Sequence, residues 1–107
     1  MERVHHFAFQ SKEEESTTSV EIRFEYDQPS LVSDLAKESE LLQERLLTGV
    51  CYTHFSKQIH SVRENKYYFG TIEFIISLDE DKTSFQKLVD NFDDLVLSLA
   101  ENVKVQT

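Results

Sequence analysis

The chain has 107 residues, of which 39% are hydrophobic and 29% charged, a composition typical of one soluble globular domain. Eleven lysines and arginines stand against twenty aspartates and glutamates, which gives a net charge of −9. Because nucleic acids and anionic membranes require clustered cations, this balance argues against autonomous binding to either. No apolar run approaches the roughly 20 residues of a membrane span. The single cysteine excludes an internal disulfide, so we expect an intracellular location, cytoplasmic or nuclear.

The first half of the chain predicts two strands and a helix. Residues 4–9 are apolar and predict an edge strand, whereas residues 11–19, with three consecutive glutamates, predict an acidic, solvated loop. From Val20 to Asp27, apolar and polar residues alternate, as in a strand with one buried face. Leucines recur at helical spacing between Ser30 and Thr48, and Gly49 stands where a helix often ends.

The second half repeats this order. A strand is predicted in the later part of residues 50–62, a hairpin turn at residues 64–66 and the longest strand over residues 67–78. From Thr83 to about residue 103, apolar residues follow a helical period, and Thr83 with Gln86 has the pattern of a capping box. When the sequence is shifted along itself so that Val20 superposes on Ile72, Ile22 superposes on Phe74 and Phe24 on Ile76.

The predicted order of elements is therefore ββαββα. It indicates an α+β fold, a two-layer sandwich in which an antiparallel sheet of three to four strands is covered on one face by two helices. We expect residues 1–107 to form this one domain. Little chain is left over for an enclosed active site.

Six apolar residues do not fit the predicted core. They are a candidate partner interface: Tyr67, Phe69 and Ile75 on the outer sheet face, Leu97 opposite the core stripe of the last helix, and Leu41 and Leu47 at the margins of the first helix. Scattered apolar residues are normal on protein surfaces. Grouped on an acidic surface, they instead favour contact with a partner. Both interpretations remain open.

No motif predicts catalysis, a cofactor or a metal site. Cys51 and His54 lie in a segment predicted to be extended, and His5 and His6 are neighbours on a strand, so their side chains diverge rather than converge on zinc. Neither a helix N-terminus nor a basic cluster is placed to activate Cys51 as a nucleophile. The two glycines are isolated, which excludes a glycine-rich phosphate loop. We therefore predict that the protein is not an enzyme.

The segment TIEFIISLDEDKTSFQKLVDNFDDLVLSLAENV joins an alternating strand through an acidic turn to a helix with the pattern Asn91, Phe92, Asp94 and Val96. On these residues, the stretch from about Val20 to Val103 resembles the small dimerisation subunit of the KEOPS complex, the CTAG/Pcc family. The resemblance implies a non-catalytic subunit that forms a homodimer or heterodimer through its sheet. It also implies that the helices dock on the catalytic subunit that makes threonylcarbamoyladenosine in tRNA.

A second hypothesis is an acidic inhibitor or immunity protein that binds a basic partner such as a nuclease. Small size, negative charge and the absence of catalytic motifs suit this function, because charge complementarity accelerates association. Against it, the acidic residues are spread over turns and both predicted helices instead of forming one dense patch. Steep salt dependence of binding would favour the inhibitor, and weak salt dependence would favour the assembly subunit.

Overall fold

The computed structural model describes residues 4–26, 32–64, 67–79 and 82–106, and within these ranges it does not describe the side chains of residues 5, 32–33, 62–64, 67–69, 82 and 100–106. The elements in chain order are β1 (Val4–Glu14), β2 (Thr17–Tyr26), α1 (Val32–Leu47), β3 (His54–Glu64), β4 (Tyr67–Asp79) and α2 (Lys82–Gln106). The predicted order ββαββα is confirmed.

The four strands form one antiparallel sheet in the order β1-β2-β4-β3. The two helices contact each other and pack on one face of this sheet. The α+β two-layer architecture is therefore as predicted, with β1 at one edge of the sheet and β3 at the other.

The two copies of the repeated strand are neighbours at the centre of the sheet. β2 and β4 pair with Ile22 opposite Phe74, Val20 opposite Ile76 and Phe24 opposite Ile72. The shift that superposes the two strands also carries Ile22 onto Phe74. An approximate two-fold axis therefore passes between Ile22 and Phe74, and the two ββα units face each other across it.

The core fills the space between this sheet and the helices. Its fully buried members alternate along the central strands and recur at helical spacing on α1 and α2: Val20, Ile22, Phe24, Tyr26, Leu35, Leu46, Ile72, Phe74, Ile76, Leu78, Leu88 and Leu95. At the β1 edge, the Phe9 ring lies 5.1 Å from Phe92 and 6.3 Å from Phe85, measured between ring centroids. α2 therefore covers β1, while α1 covers β3 and β4.

The predicted loop over residues 11–19 is wrong, because most of it is paired strand. Ser11 lies opposite Val20 and Glu14 opposite Thr17, so only Glu15 and Ser16 form the turn. Glu15 has a positive φ of 53°, as tight hairpin turns require. Residues 11–14 belong to β1, an edge strand, where backbone pairing with β2 holds the strand although its side chains are polar and exposed.

The ends of the helices differ from the predictions in detail. α1 ends at Leu47, and Gly49 follows with φ 74°, which confirms the predicted glycine terminus. α2 begins at Lys82, before the predicted capping residue Thr83, and the Gln86 amide donates to Asp90 at 3.0 Å. The start of the helix therefore differs from the prediction by one residue, and the capping box itself stays a prediction. The predicted turn at residues 65–66 and the start of the first helix at residues 30–31 lie outside the described residues.

Candidate protein-interaction surfaces

α2 fixes the end of α1 and the linker that leads to β3. The Asn91 side chain donates to the carbonyl oxygens of Leu46 at 2.8 Å and Thr48 at 2.9 Å. These carbonyls belong to the helix end, where intrahelical donors are missing. The buried Ser84 hydroxyl accepts a hydrogen bond from the Cys51 amide at 3.0 Å. The two helices are therefore held together by polar contacts in addition to their apolar core.

A groove of about 300 Å³ lies between the two helices on the outer surface of the helical layer. Its apolar floor consists of Leu42, Leu95 and Leu99, which are buried. Leu41 lines the same groove but leaves 60% of its surface exposed. The polar lining residues are Glu38, Glu44, Arg45 and Ser98, and Arg45 donates to the Ser98 hydroxyl at 3.5 Å. The groove therefore combines an apolar floor with a charged rim.

The three helical residues of the predicted interface lie in three different surroundings. Leu41 lines the groove, whereas Leu97, 62% exposed, does not. Leu97 shares the outer side of α2 with the exposed residues Asp93 and Asp90, one and two turns earlier. Leu47 is half-buried and packs against the core. Of these three residues, only Leu41 adjoins other apolar side chains in the groove.

The uncovered face of the sheet is largely polar where it is described. At its centre, the Arg23 guanidinium donates to the Glu73 carboxylate at 2.9 Å, and this hydrogen bond and charge raise the pKa of Arg23. Ile75, from the predicted interface, is half-buried and follows this polar pair on β4. The side chains of Tyr67 and Phe69 lie outside the described residues. An antiparallel sheet can leave such a polar face in water, so it needs no partner.

The residues considered for chemistry are separate on the surface. Cys51, His54 and His60 are exposed, and the His60 ring nitrogen Nε2 lies 3.3 Å from the Gln58 amide oxygen. In the described part of the chain, no group of three or more His, Cys, Asp or Glu side chains is placed to hold a metal ion. Within the same residues, neither helix has a stretch long and apolar enough to span a membrane.

The sequence-based predictions did not use one feature of the chain, a long stretch without acidic residues. From Arg45 to Arg63 the chain contains no aspartate or glutamate, although it carries twenty elsewhere. Most of β3 lies in this stretch, and the sheet order makes β3 an edge strand. The charge gap is visible in the sequence, but its position along an open edge follows only from the topology.

Comparison with known proteins assigns no family to the chain. No family model, no curated protein and no solved structure matches it. The resemblance to the KEOPS dimerisation subunit therefore stays a prediction from the sequence.

Proposed function

We propose that this protein is a non-catalytic subunit that assembles with a partner protein through the groove between α1 and α2. The observation that carries the proposal is the position of Leu41, which is 60% exposed and lines a groove floored by buried leucines. Burying a leucine side chain contributes about 1.5–3 kcal/mol. An apolar side chain presented by a partner helix would be buried with it, as in other helix-in-groove complexes.

The rim of the groove indicates the charge of this partner. Glu38 and Glu44 line it together with Arg45, and the whole chain carries a net charge of −9. A partner helix with an apolar stripe flanked by lysine or arginine would match this surface. Charge attraction would mainly accelerate association, while the apolar contact would provide most of the affinity.

The sequence resemblance suggests one candidate for the partner. On this proposal the protein works inside the cell beside a KEOPS-type catalytic subunit, which itself carries out tRNA modification. The test is co-expression of the wild-type chain with such a subunit, followed by co-purification at low and at high salt. We expect a stable complex at both salt concentrations, because an apolar interface responds weakly to ions. Failure to co-purify at low salt would reject this partner.

A second candidate function, inhibition of a basic partner, is favoured by one observation on α2. Asp93 and Asp94 are exposed and form no ion pair with any other described residue. If these carboxylates bind the partner, the D93N/D94N variant should lose affinity and the remaining binding should depend less on salt. Unchanged affinity in that variant would exclude this mode of binding.

A further inference from the structure

The internal repeat of the chain extends from the central strands to the two helices. When residues 34–46 of α1 are superposed on residues 87–99 of α2, leucine falls on leucine at three positions: Leu35 on Leu88, Leu42 on Leu95 and Leu46 on Leu99. The burial of the side chains agrees at every position of the two segments except 39 with 92 and 45 with 98. The approximate two-fold axis of the sheet therefore also relates α1 to α2.

The groove between the helices lies across this axis. Its apolar floor contains the equivalent residues Leu42 and Leu95, one from each helix. Its rim contains a second equivalent pair, Arg45 and Ser98, which are hydrogen-bonded to each other. If the two walls were identical, a partner helix could lie in the groove in either direction, because rotation about the axis exchanges the walls and reverses the helix.

One pair of equivalent positions makes the two walls different beside the floor. On α1 this position is Leu41, one turn before Arg45, whereas on α2 it is Asp94, one turn before Ser98. Both side chains are exposed, and Asp94 forms no ion pair with any other described residue. A helix in the groove therefore has an apolar side chain on one side and a carboxylate on the other.

We propose that Asp94 sets the direction in which a partner helix lies in the groove, by pairing with a lysine or arginine of that helix. The inference rests on the proposed function and adds a specificity-determining residue to it. In the favoured direction, an apolar side chain of the partner contacts Leu41 while a basic side chain contacts Asp94. In the reversed direction these two contacts are exchanged, so the charged groups lose water without gaining an opposite charge.

The surroundings of Asp94 favour a basic partner residue over an acidic one. Asp90 and Asp93 are exposed on the same part of α2, and Glu44 lines the groove from α1. Among the described residues that line the groove, Arg45 is the one cation, and it already donates to Ser98. Attraction to these carboxylates would accelerate the approach of a basic helix, while an acidic residue beside Asp94 would be repelled.

The test compares Asp94→Lys with Asp90→Lys in titration calorimetry against the KEOPS-type catalytic subunit. Both variants change an exposed aspartate of α2 and raise the net charge by the same amount, but position 90 lies on the outer side of the helix. Its equivalent on α1 is Lys37, so a lysine suits this position. Asp94→Lys should weaken binding by about tenfold or more, and Asp90→Lys by less than about threefold. An equal loss in both variants would overturn the inference, because attraction to an acidic surface as a whole requires no particular carboxylate.

A nitroxide label on Cys51, the one cysteine of the chain, reports the direction itself. Cys51 is exposed and its amide contacts Ser84 near the start of α2, so the label lies beyond one end of the groove. In the wild-type complex it should broaden the NMR signals of one end of the partner helix. Asp94→Leu makes the walls alike at this pair of positions, so signals from both ends should broaden.

Broadening at both ends in the wild-type complex, or at one end only in the Asp94→Leu complex, would overturn the inference. The proposed function is tested separately by the wild-type chain. If the wild-type chain binds the catalytic subunit and the two lysine variants lose affinity equally, docking stands and the role of Asp94 is rejected. A wild-type chain that does not bind this subunit rejects both.

Discussion

Asn91 on α2 donates a hydrogen bond from its side-chain amide to the carbonyl oxygen of Leu46 on α1, at 2.8 Å. The same amide nitrogen reaches the Thr48 carbonyl at 2.9 Å. One side chain of the second helix thus satisfies carbonyl groups at the C-terminal end of the first.

We expect Asn91→Ala to destabilise the protein by about 1–3 kcal/mol, because two carbonyl groups lose their donor. Urea unfolding followed by circular dichroism measures the change. Gln86→Ala is the control, since this amide donates to Asp90 on its own helix surface and no other hydrogen bond joins it to the described residues, so its loss should cost less than about 0.5 kcal/mol. Equal effects of the two substitutions would show that Asn91 does not hold the helices together.

Gly70 lies against Leu35, and we expect Gly70→Ala to destabilise by about 1–3 kcal/mol through overpacking. A Cβ atom at position 70 would lie 2.6 Å from Leu35 Cδ1, and Leu35 is fully buried. In the G70A/L35A double variant, the smaller alanine leaves room for the new methyl group. Its free energy of unfolding should therefore fall by less than the sum of the single changes, whereas strict additivity would argue against the clash.

The Arg23–Glu73 pair on the open sheet face should stabilise the fold modestly. Arg23 is half exposed, so solvent screening limits the coupling between the two side chains to roughly 0.2–1 kcal/mol. A double-mutant cycle with Arg23→Met and Glu73→Gln measures this coupling free energy. The same cycle in high salt should give a smaller value. A coupling that salt does not change would contradict an electrostatic origin.

Glu14 provides the pH prediction. The hydrogen bond and charge of Lys12 lower the pKa of Glu14 below its ordinary value. A carboxyl group with a lowered folded pKa stabilises the fold at pH values above its unfolded pKa, and this contribution is lost as pH falls through the folded pKa. An NMR titration should show the pKa of Glu14 rising in the Lys12→Met variant. An unchanged pKa would mean that the ion pair does not persist in solution.

The sequence predicted the elements with strong periodicity and missed those without it. α1, α2 and the central strands each bury one side, so their apolar residues recur at helical spacing or alternate along the strand. These patterns are visible in the sequence. The second half of β1 has no such pattern, because residues 10–14 are polar and the pairing of an edge strand depends on its backbone. Asn91 was predictable only as part of a family-like pattern, because its partners Leu46 and Thr48 lie far away in the chain.

The predicted partner interface shows the same limit of sequence-based prediction. Leu41 and Leu97 look alike in sequence, since each falls outside the apolar stripe of its own helix. Spacing gives the side of one helix on which a residue lies, but not which neighbouring element that side adjoins. Only the packing of α1 beside α2 puts Leu41 in the groove and leaves Leu97 among the acidic residues of α2.

The affinity of two matched variants for the KEOPS-type catalytic subunit tests the groove most directly. Leu41→Asp and Leu97→Asp make the same change at leucines that are 60% and 62% exposed, one in the groove and one outside it. Titration calorimetry should show that Leu41→Asp weakens binding by about tenfold or more, whereas Leu97→Asp binds like wild type. Wild-type affinity in Leu41→Asp, or an equal loss in both variants, would contradict docking through the groove.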